Sequence, residues 1–340
     1  MDMNLKIKSD NINAMKVFSA ILVVFVHSAN ILSFNNCTEG WTYTLISALD
    51  LLSRICVPIF FLLSGYLMFR KPIVWKANMK KKVRSLLVPY LFWTFFWIAF
   101  EGLGYLVASK YFENIFSYSL FDWGAQIIWN DLPFYNPFWY VRNLFVVNLF
   151  APFLRKFIFK FPKLTLVISL VVWFLPLPHT IRKTITFILL GGLLVVYLES
   201  DRKYKSFIHN AGLKKAAVIF VFPLSAVLAL LFSDIEAVRN IVLLLLTTDV
   251  FYCFTKWNMS NGAKNIVSKL LPHTFFIYAF HGKTLSILQK LAIQIIPQIS
   301  FVIVAEYFLC PAAIIVICIV VSKIYKRLLP RVYKISTGGR

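Results

Sequence analysis

Continuous apolar runs recur along the whole chain, and their length limits what it can fold into. Most hold about 17–25 residues, the length of an α-helix that crosses the hydrocarbon core of a bilayer. A transmembrane β-barrel would instead show segments of about ten residues with alternating polarity. Because backbone polar groups in lipid must be satisfied within each segment, the runs predict an all-α, polytopic integral membrane protein.

The composition agrees with this fold class. Charged residues make up only 15% of the 340 residues, compared with about 25% in soluble domains. No hydrophilic stretch is long enough for a soluble module, so residues 1–340 are predicted to form a single transmembrane domain. We predict about ten spans, over 17–34, 45–69, 86–108, 137–154, 164–179, 184–198, 216–232, 238–255, 273–295 and 301–322.

The positive charge is distributed as in a membrane protein. If the N-terminus lies in the cytoplasm, 28 of the 36 Lys and Arg residues fall on the cytoplasmic side of these spans. This bias predicts that both termini are cytoplasmic. The net charge of +22 is therefore explained by orientation and contact with membrane lipids, and no nucleic-acid partner is expected.

Targeting and cysteine patterns add two expectations. No convincing small-residue cleavage site follows the first apolar stretch, which predicts a retained helix in a multi-pass protein of the cell (cytoplasmic or inner) membrane. The five Cys residues show no metal-binding spacing, so no metal site is predicted. The outer loop 109–136 is rich in aromatic residues. It fits either a sugar-binding surface or a loop at the level of the lipid headgroups.

His27 is an ionisable residue in the middle of the first apolar run, and Lys16 precedes it by 11 residues. That spacing is close to three helical turns, so both side chains share one face about 16 Å apart. A neutral imidazole can take a proton from a hydroxyl, and a cation at the cytoplasmic edge can hold a phosphate. The alternative is a histidine that only packs against a neighbouring helix.

Three arginines or histidines in other spans are further candidates, because ionisable groups at membrane depth usually face a cavity or a partner. Arg54 follows Asp50 at the spacing of a helical ion pair, and its fork can take a second acceptor. Arg142 and Asn143 follow Trp139 and Tyr140 in the sequence, and Arg142 has no acidic residue within four positions. His281 lies at a depth comparable to His27.

A basic cluster precedes the third span. Lys80, Lys81, Lys82 and Arg84 lie within five residues, ahead of Pro89. Such a cluster usually contacts anionic lipid. It can equally bind the phosphates of a nucleotide-like molecule.

Five motifs in order resemble the membrane acyltransferase-3 family, which are integral-membrane O-acyltransferases of surface glycans. These are the Lys16–His27 spacing, "RICVPIFFLLSGYLM", "KKKVRSLLVPYLFW", "NPFWYVRNL" and "FFIYAFH". The resemblance covers nearly the whole chain. Two positions depart from the family pattern. Asn13 stands where an Asp is common, and Arg142-Asn143 stands where members often have Arg-Asp.

The resemblance implies transfer of an acyl group, acetyl above all, from acyl-CoA to a sugar hydroxyl of a cell-surface or lipid-linked glycan. It implies no permanently bound cofactor, because acetyl-CoA is the donor substrate. Catalytic roles are expected for His27 as base or acyl carrier, for Lys16 and for Arg142. Donor or acceptor binding is expected for Arg54, Lys81, Lys82, Arg84, Trp139, Tyr140, Asn143 and His281.

A transporter or flippase for a glycan or lipid-linked sugar is the alternative. Buried charges of this kind also line transport paths. The sequence shows no internal repeat of the kind that many transporters have.

Overall fold

The computed structural model describes residues 7–110, 112–199, 223–232 and 235–339, and these ranges are helical without any β-strand. Within them the α-helices are, in chain order, α1 (Ser9–Ser28), α2 (Asn30–Phe34), α3 (Gly40–Ser53), α4 (Cys56–Phe69), α5 (Trp75–Lys82), α6 (Val88–Ala108), α7 (Leu120–Gly124), α8 (Trp139–Leu149), α9 (Ala151–Lys160), α10 (Pro162–Phe174), α11 (His179–Glu199), α12 (Pro223–Phe232), α13 (Glu236–Lys256), α14 (Asn261–Leu270), α15 (Thr274–Ile295), α16 (Ser300–Leu328) and α17 (Pro330–Ser336). The all-helical membrane fold is confirmed.

Six helical segments of the described chain are long and apolar enough to cross a membrane: Ser9–Phe34, Gly40–Phe69, Trp75–Ala108, His179–Leu198, Glu236–Lys256 and Ser300–Leu328. The pair α9 and α10, bent by 115°, makes a seventh if it counts as one span. The number of ten and the cytoplasmic location of both termini stay predictions. Residues 216–222 of the predicted seventh span lie outside the described residues.

Proline residues explain where the helices differ from the predicted spans. The predicted span 45–69 is divided at Arg54 and Ile55, because the ring of Pro58 clashes with the carbonyl group four residues before it, that of Arg54. The predicted span 137–154 is divided at Phe150, and Pro152 lies in the first turn of α9. With only 11 residues, α8 rises about 16 Å, too short to cross a bilayer alone.

Helices α4 and α11 pack closely because glycines line their contact. A Cβ atom added to Gly191 would lie 2.2 Å from the carbonyl oxygen of Leu62, and one added to Gly65 would lie 2.3 Å from that of Ile188. Small residues allow such close approach, which is the main source of packing energy between helices in lipid. This contact fixes the position of α4 relative to α11.

The segment after α6 folds back onto α6 and α15. Lys283 of α15 forms an ion pair with buried Glu101 of α6, and Glu101 also accepts a hydrogen bond of 3.0 Å from the backbone of Glu113. Tyr135 stacks on Trp97 at 5.1 Å between ring centroids, and its hydroxyl accepts a hydrogen bond of 2.8 Å from Gly282 N–H. The aromatic segment 109–136 is therefore anchored at both ends.

We expect Gly191→Ala to lower the stability of the protein, because the new methyl group would meet backbone rather than a movable side chain. Overpacking of this kind costs about 1–3 kcal/mol. Thermal unfolding in detergent, followed by size-exclusion chromatography, measures the effect. Gly262→Ala in exposed α14 is the matched control, since its nearest neighbouring atom is 3.9 Å away. An unchanged melting temperature for Gly191→Ala would contradict the close contact.

Candidate functional site

His27 of α1 and His281 of α15 contact each other. Their ring centroids are 5.1 Å apart and the rings are tilted by 55°. The contact exists because α15 packs along α1. Two of the histidines that the sequence analysis selected separately thus form one pair, which we call the histidine pair.

The hydrogen bonds of His281 fix which of its ring nitrogens carries hydrogen. Its Nδ1 lies 2.9 Å from the carbonyl oxygens of both Ile277 and Tyr278. A carbonyl oxygen only accepts, so Nδ1 is the donor and a neutral ring keeps its lone pair on Nε2. That Nε2 is buried and has no hydrogen-bond partner in the described part of the chain. The imidazole of His281 is therefore hydrogen-bonded through Nδ1 but not through Nε2.

Arg54 lies at the break between α3 and α4 and within electrostatic range of His27. Its Nε donates a hydrogen bond of 2.7 Å to Asp50 Oδ2, as the sequence spacing indicated. A guanidinium held in this way can stabilise negative charge that develops beside the imidazole.

A cavity of about 680 Å³ is lined by Lys16 of α1, and we call it the Lys16 cavity. Lys16, Lys81 and Lys82 line it together with a mostly apolar wall. The wall includes Phe60, Leu63, Ser64, Leu67, Met68, Tyr140, Leu144, Phe275 and Tyr278. The cavity therefore combines a cationic rim with an apolar interior, as suits a long molecule with charged groups at one end.

A second cavity, of about 500 Å³, is lined by Arg54, and we call it the Arg54 cavity. Its other lining residues are mostly polar or charged. They include Tyr43, Ser47, Asp50, His179, Arg182, Lys183, Glu236, Arg239 and Asn240. The contrast between the two linings indicates that the cavities suit different molecules.

Each cavity has one link to the histidine pair, although neither His27 nor His281 is among its lining residues. Tyr278 lines the Lys16 cavity, and its carbonyl oxygen accepts a hydrogen bond from His281. Arg54 lines the other cavity and lies within electrostatic range of His27. Lys16 and His27 are about 16 Å apart along α1.

Three predicted residues of α8 have structural contacts. Tyr140 lines the Lys16 cavity, and its hydroxyl is 2.9 Å from that of Ser64. Asn143 donates to Thr184 Oγ1 at 3.2 Å. Trp139 is buried, with ring centroids 5.7 Å from Phe61 and 6.1 Å from His179. Of the three, the structure brings only Tyr140 to a cavity.

Arg142 and Arg84 lie away from the histidine pair. Buried Arg142 donates a hydrogen bond of 3.1 Å to the backbone oxygen of Asp131, and its Nη1 has no partner in the described ranges. The partner that Arg142 needs is therefore supplied by the aromatic segment 109–136. Arg84 lies in a π-helical turn, Val83–Leu87, and does not line the Lys16 cavity.

Sequence reasoning did not select three basic residues of the Arg54 cavity: Arg182, Lys183 and Arg239. A signal was nevertheless present. All three belong to the eight Lys and Arg residues that fall outside the predicted cytoplasmic side. Basic residues outside the predicted cytoplasmic side are not explained by the orientation of the protein in the membrane. Their shared cavity supplies another explanation.

Comparison with known proteins identifies related sequences. The family model Acyl_transf_3, described as an acyltransferase domain, matches residues 9–323. The succinoglycan biosynthesis protein ExoH of Rhizobium meliloti (strain 1021) is 29% identical over 205 residues, which cover 55% of this chain and 53% of that protein. The matched region thus spans about half the length of this curated relative. No solved structure matches the chain significantly.

We expect the two cavities to open on opposite faces of the membrane, as the charge bias predicts. In a chain without its five native cysteines, Lys183→Cys should react with a membrane-impermeant maleimide added to right-side-out vesicles. Lys82→Cys should react only after the vesicles are opened. The cysteine-free chain is the control for unspecific labelling. Equal labelling of both variants in sealed vesicles would show that the predicted orientation is wrong.

Proposed function

Because the chain belongs to the acyltransferase-3 family, we propose that it transfers an acyl group, acetyl in the first instance, from acyl-CoA to a sugar hydroxyl of a cell-surface or lipid-linked glycan. The observation that carries this proposal is the histidine pair, together with two chemically different cavities that are each linked to it by one residue. One cavity is suited to an acyl-CoA and the other to a polar acceptor. The relative ExoH is a succinoglycan biosynthesis protein, which favours a glycan acceptor.

The Lys16 cavity is the proposed donor site. Phosphate groups form charge-assisted hydrogen bonds with ammonium groups, and three lysines line the cavity. Its apolar wall suits the less charged arm that carries the thioester. Lys16 lies on the helix of His27, so a donor bound by its phosphates at Lys16 would extend along α1 towards the histidine pair.

The histidine pair is the proposed catalytic centre. In the proposed reaction, His27 accepts the proton of the acceptor hydroxyl while the hydroxyl oxygen attacks the thioester carbonyl carbon. The carbon–sulfur bond then breaks, and the proton passes to the departing thiolate of coenzyme A. His281 positions His27 through their ring contact, and Arg54 stabilises the negative oxygen of the intermediate.

We expect His27→Gln to reduce acyl transfer by about 10²–10⁴-fold, the usual effect of losing a general base. Production of free coenzyme A from acetyl-CoA by purified protein with a glycan acceptor measures the effect. His273→Gln is the matched control, because His273 bonds to Ser322 at 2.9 Å and lies outside the pair. Full activity of a well-folded His27→Gln protein would contradict the catalytic role. If folded wild-type protein consumes no acetyl-CoA with any of the acceptors tested, that result would favour the transporter alternative.

We expect the combined substitution of Lys16, Lys81 and Lys82 by Ala to weaken binding of coenzyme A at least tenfold. The wild-type affinity should fall as salt concentration rises, because screening weakens contacts between exposed charges. Isothermal titration calorimetry in detergent measures both effects. Lys76→Ala is the matched control, since Lys76 lies in α5 with Lys81 and Lys82 but does not line the Lys16 cavity. Equal affinities for the wild type and the triple variant would place the donor elsewhere.

A further inference from the structure

The Arg54 cavity carries more positive than negative charge. Its lining includes four basic side chains, from Arg54, Arg182, Lys183 and Arg239, and two acidic side chains, from Asp50 and Glu236. Two ion pairs use both acids, since Arg54 Nε binds Asp50 at 2.7 Å and Arg182 Nη2 binds Glu236 at 3.0 Å. Positive charge therefore remains in the cavity beyond what its own acids neutralise.

Several nitrogen donors of the cavity have no acceptor in the described residues. Lys183 forms neither an ion pair nor a hydrogen bond there, although its side chain is mostly buried. Arg182 Nε is also buried without a partner. Arg54 uses only its Nε towards Asp50. Among these donors Arg182 Nε is buried, whereas the Arg54 side chain is 44% exposed. Arg182 Nε points to a ligand, because buried N–H groups of charged side chains are rarely left without acceptors.

The chemistry of the lining indicates an anion. Arginine presents a planar fork that matches carboxylate and phosphate oxygens, and lysine adds a point charge. The volume of about 500 Å³ lies within the usual range of small-molecule sites, about 300–1,000 Å³.

We propose that the Arg54 cavity binds a carboxylate or phosphate group carried by the acceptor sugar chain, which makes the protein selective for acidic glycans. This inference rests on the proposed function, since it names the acceptor class for the same catalytic centre. Arg182 and Lys183 hold the anionic group. The proposal places a hydroxyl of the same or the next sugar towards His27, because Arg54 lines the cavity and lies within electrostatic range of that imidazole.

An anionic lipid headgroup has the same charge, but the lining favours a sugar. Ser47, Asn240 and Tyr43 add hydroxyl and amide groups, which suit the many hydroxyls of a glycan. Arg54 also lies within electrostatic range of His27, which relates the cavity to the proposed site of chemistry. A headgroup site at the membrane edge would need neither feature.

The experiment compares three methyl glycosides that differ only at carbon 6: glucoside, glucuronide and glucoside 6-phosphate. Their affinities for the full-length protein are measured in neutral detergent and in nanodiscs with and without phosphatidylglycerol. We expect the two charged sugars to bind at least tenfold more tightly than the neutral one. Lys183→Gln should abolish this preference and Lys183→Arg should keep it. Lys269→Gln, a change in exposed α14, should have no effect.

Three results would overturn the inference. These are equal binding of the three sugars, a preference that survives Lys183→Gln in a folded protein, and loss of charged-sugar binding when phosphatidylglycerol is present. Binding of coenzyme A by each variant serves as the test of folding. Acetyl-CoA consumption, measured on the same preparations, separates the two proposals. Equal acylation of all three sugars would contradict only the proposed selectivity for acidic glycans. A Lys183-dependent binding preference without any acyl transfer would contradict only the proposed acyltransferase function.

Discussion

Pro58 has no N–H group, and its ring occupies the space that the carbonyl of Arg54 would fill in a continuous helix. The break between α3 and α4 follows from this steric conflict. Arg54 lies at this break, lines the Arg54 cavity and is within electrostatic range of His27. Beyond the break, Ser64 of α4 lines the Lys16 cavity. The single predicted span 45–69 therefore contributes residues to both cavities.

The remaining buried charges divide into those that hold the fold together and those that remain for substrates. Glu101 and Lys283 neutralise each other between α6 and α15, and Arg142 is bound by the backbone of Asp131. Other cations gather at the two cavities. Among them, Arg182 Nε is buried without a partner in the described part of the chain, and an anionic acceptor would supply the acceptor atom that this donor lacks.

The sequence predicted the parts of the site that depend on one helix. The spacing of Lys16 and His27 places both on one face of α1, and the i,i+4 spacing of Asp50 and Arg54 predicted their ion pair. It also predicted a basic cluster before α6, of which Lys81 and Lys82 line a cavity. Arg84 belongs to the same cluster, but the π-helical turn Val83–Leu87 changes the direction of its side chain, and short-range spacing does not reveal such a turn.

The sequence by itself determined that the chain is an all-helical membrane protein, because the length and apolarity of its runs leave the backbone no other way to satisfy its hydrogen bonds in lipid. It also determined which ionisable residues lie at membrane depth. Only the tertiary structure decided that His27 meets His281, and that Arg182, Lys183 and Arg239 share a cavity with Arg54. These residues come from helices far apart in the chain. Periodicity within one helix carries no information about which partner helix it packs against.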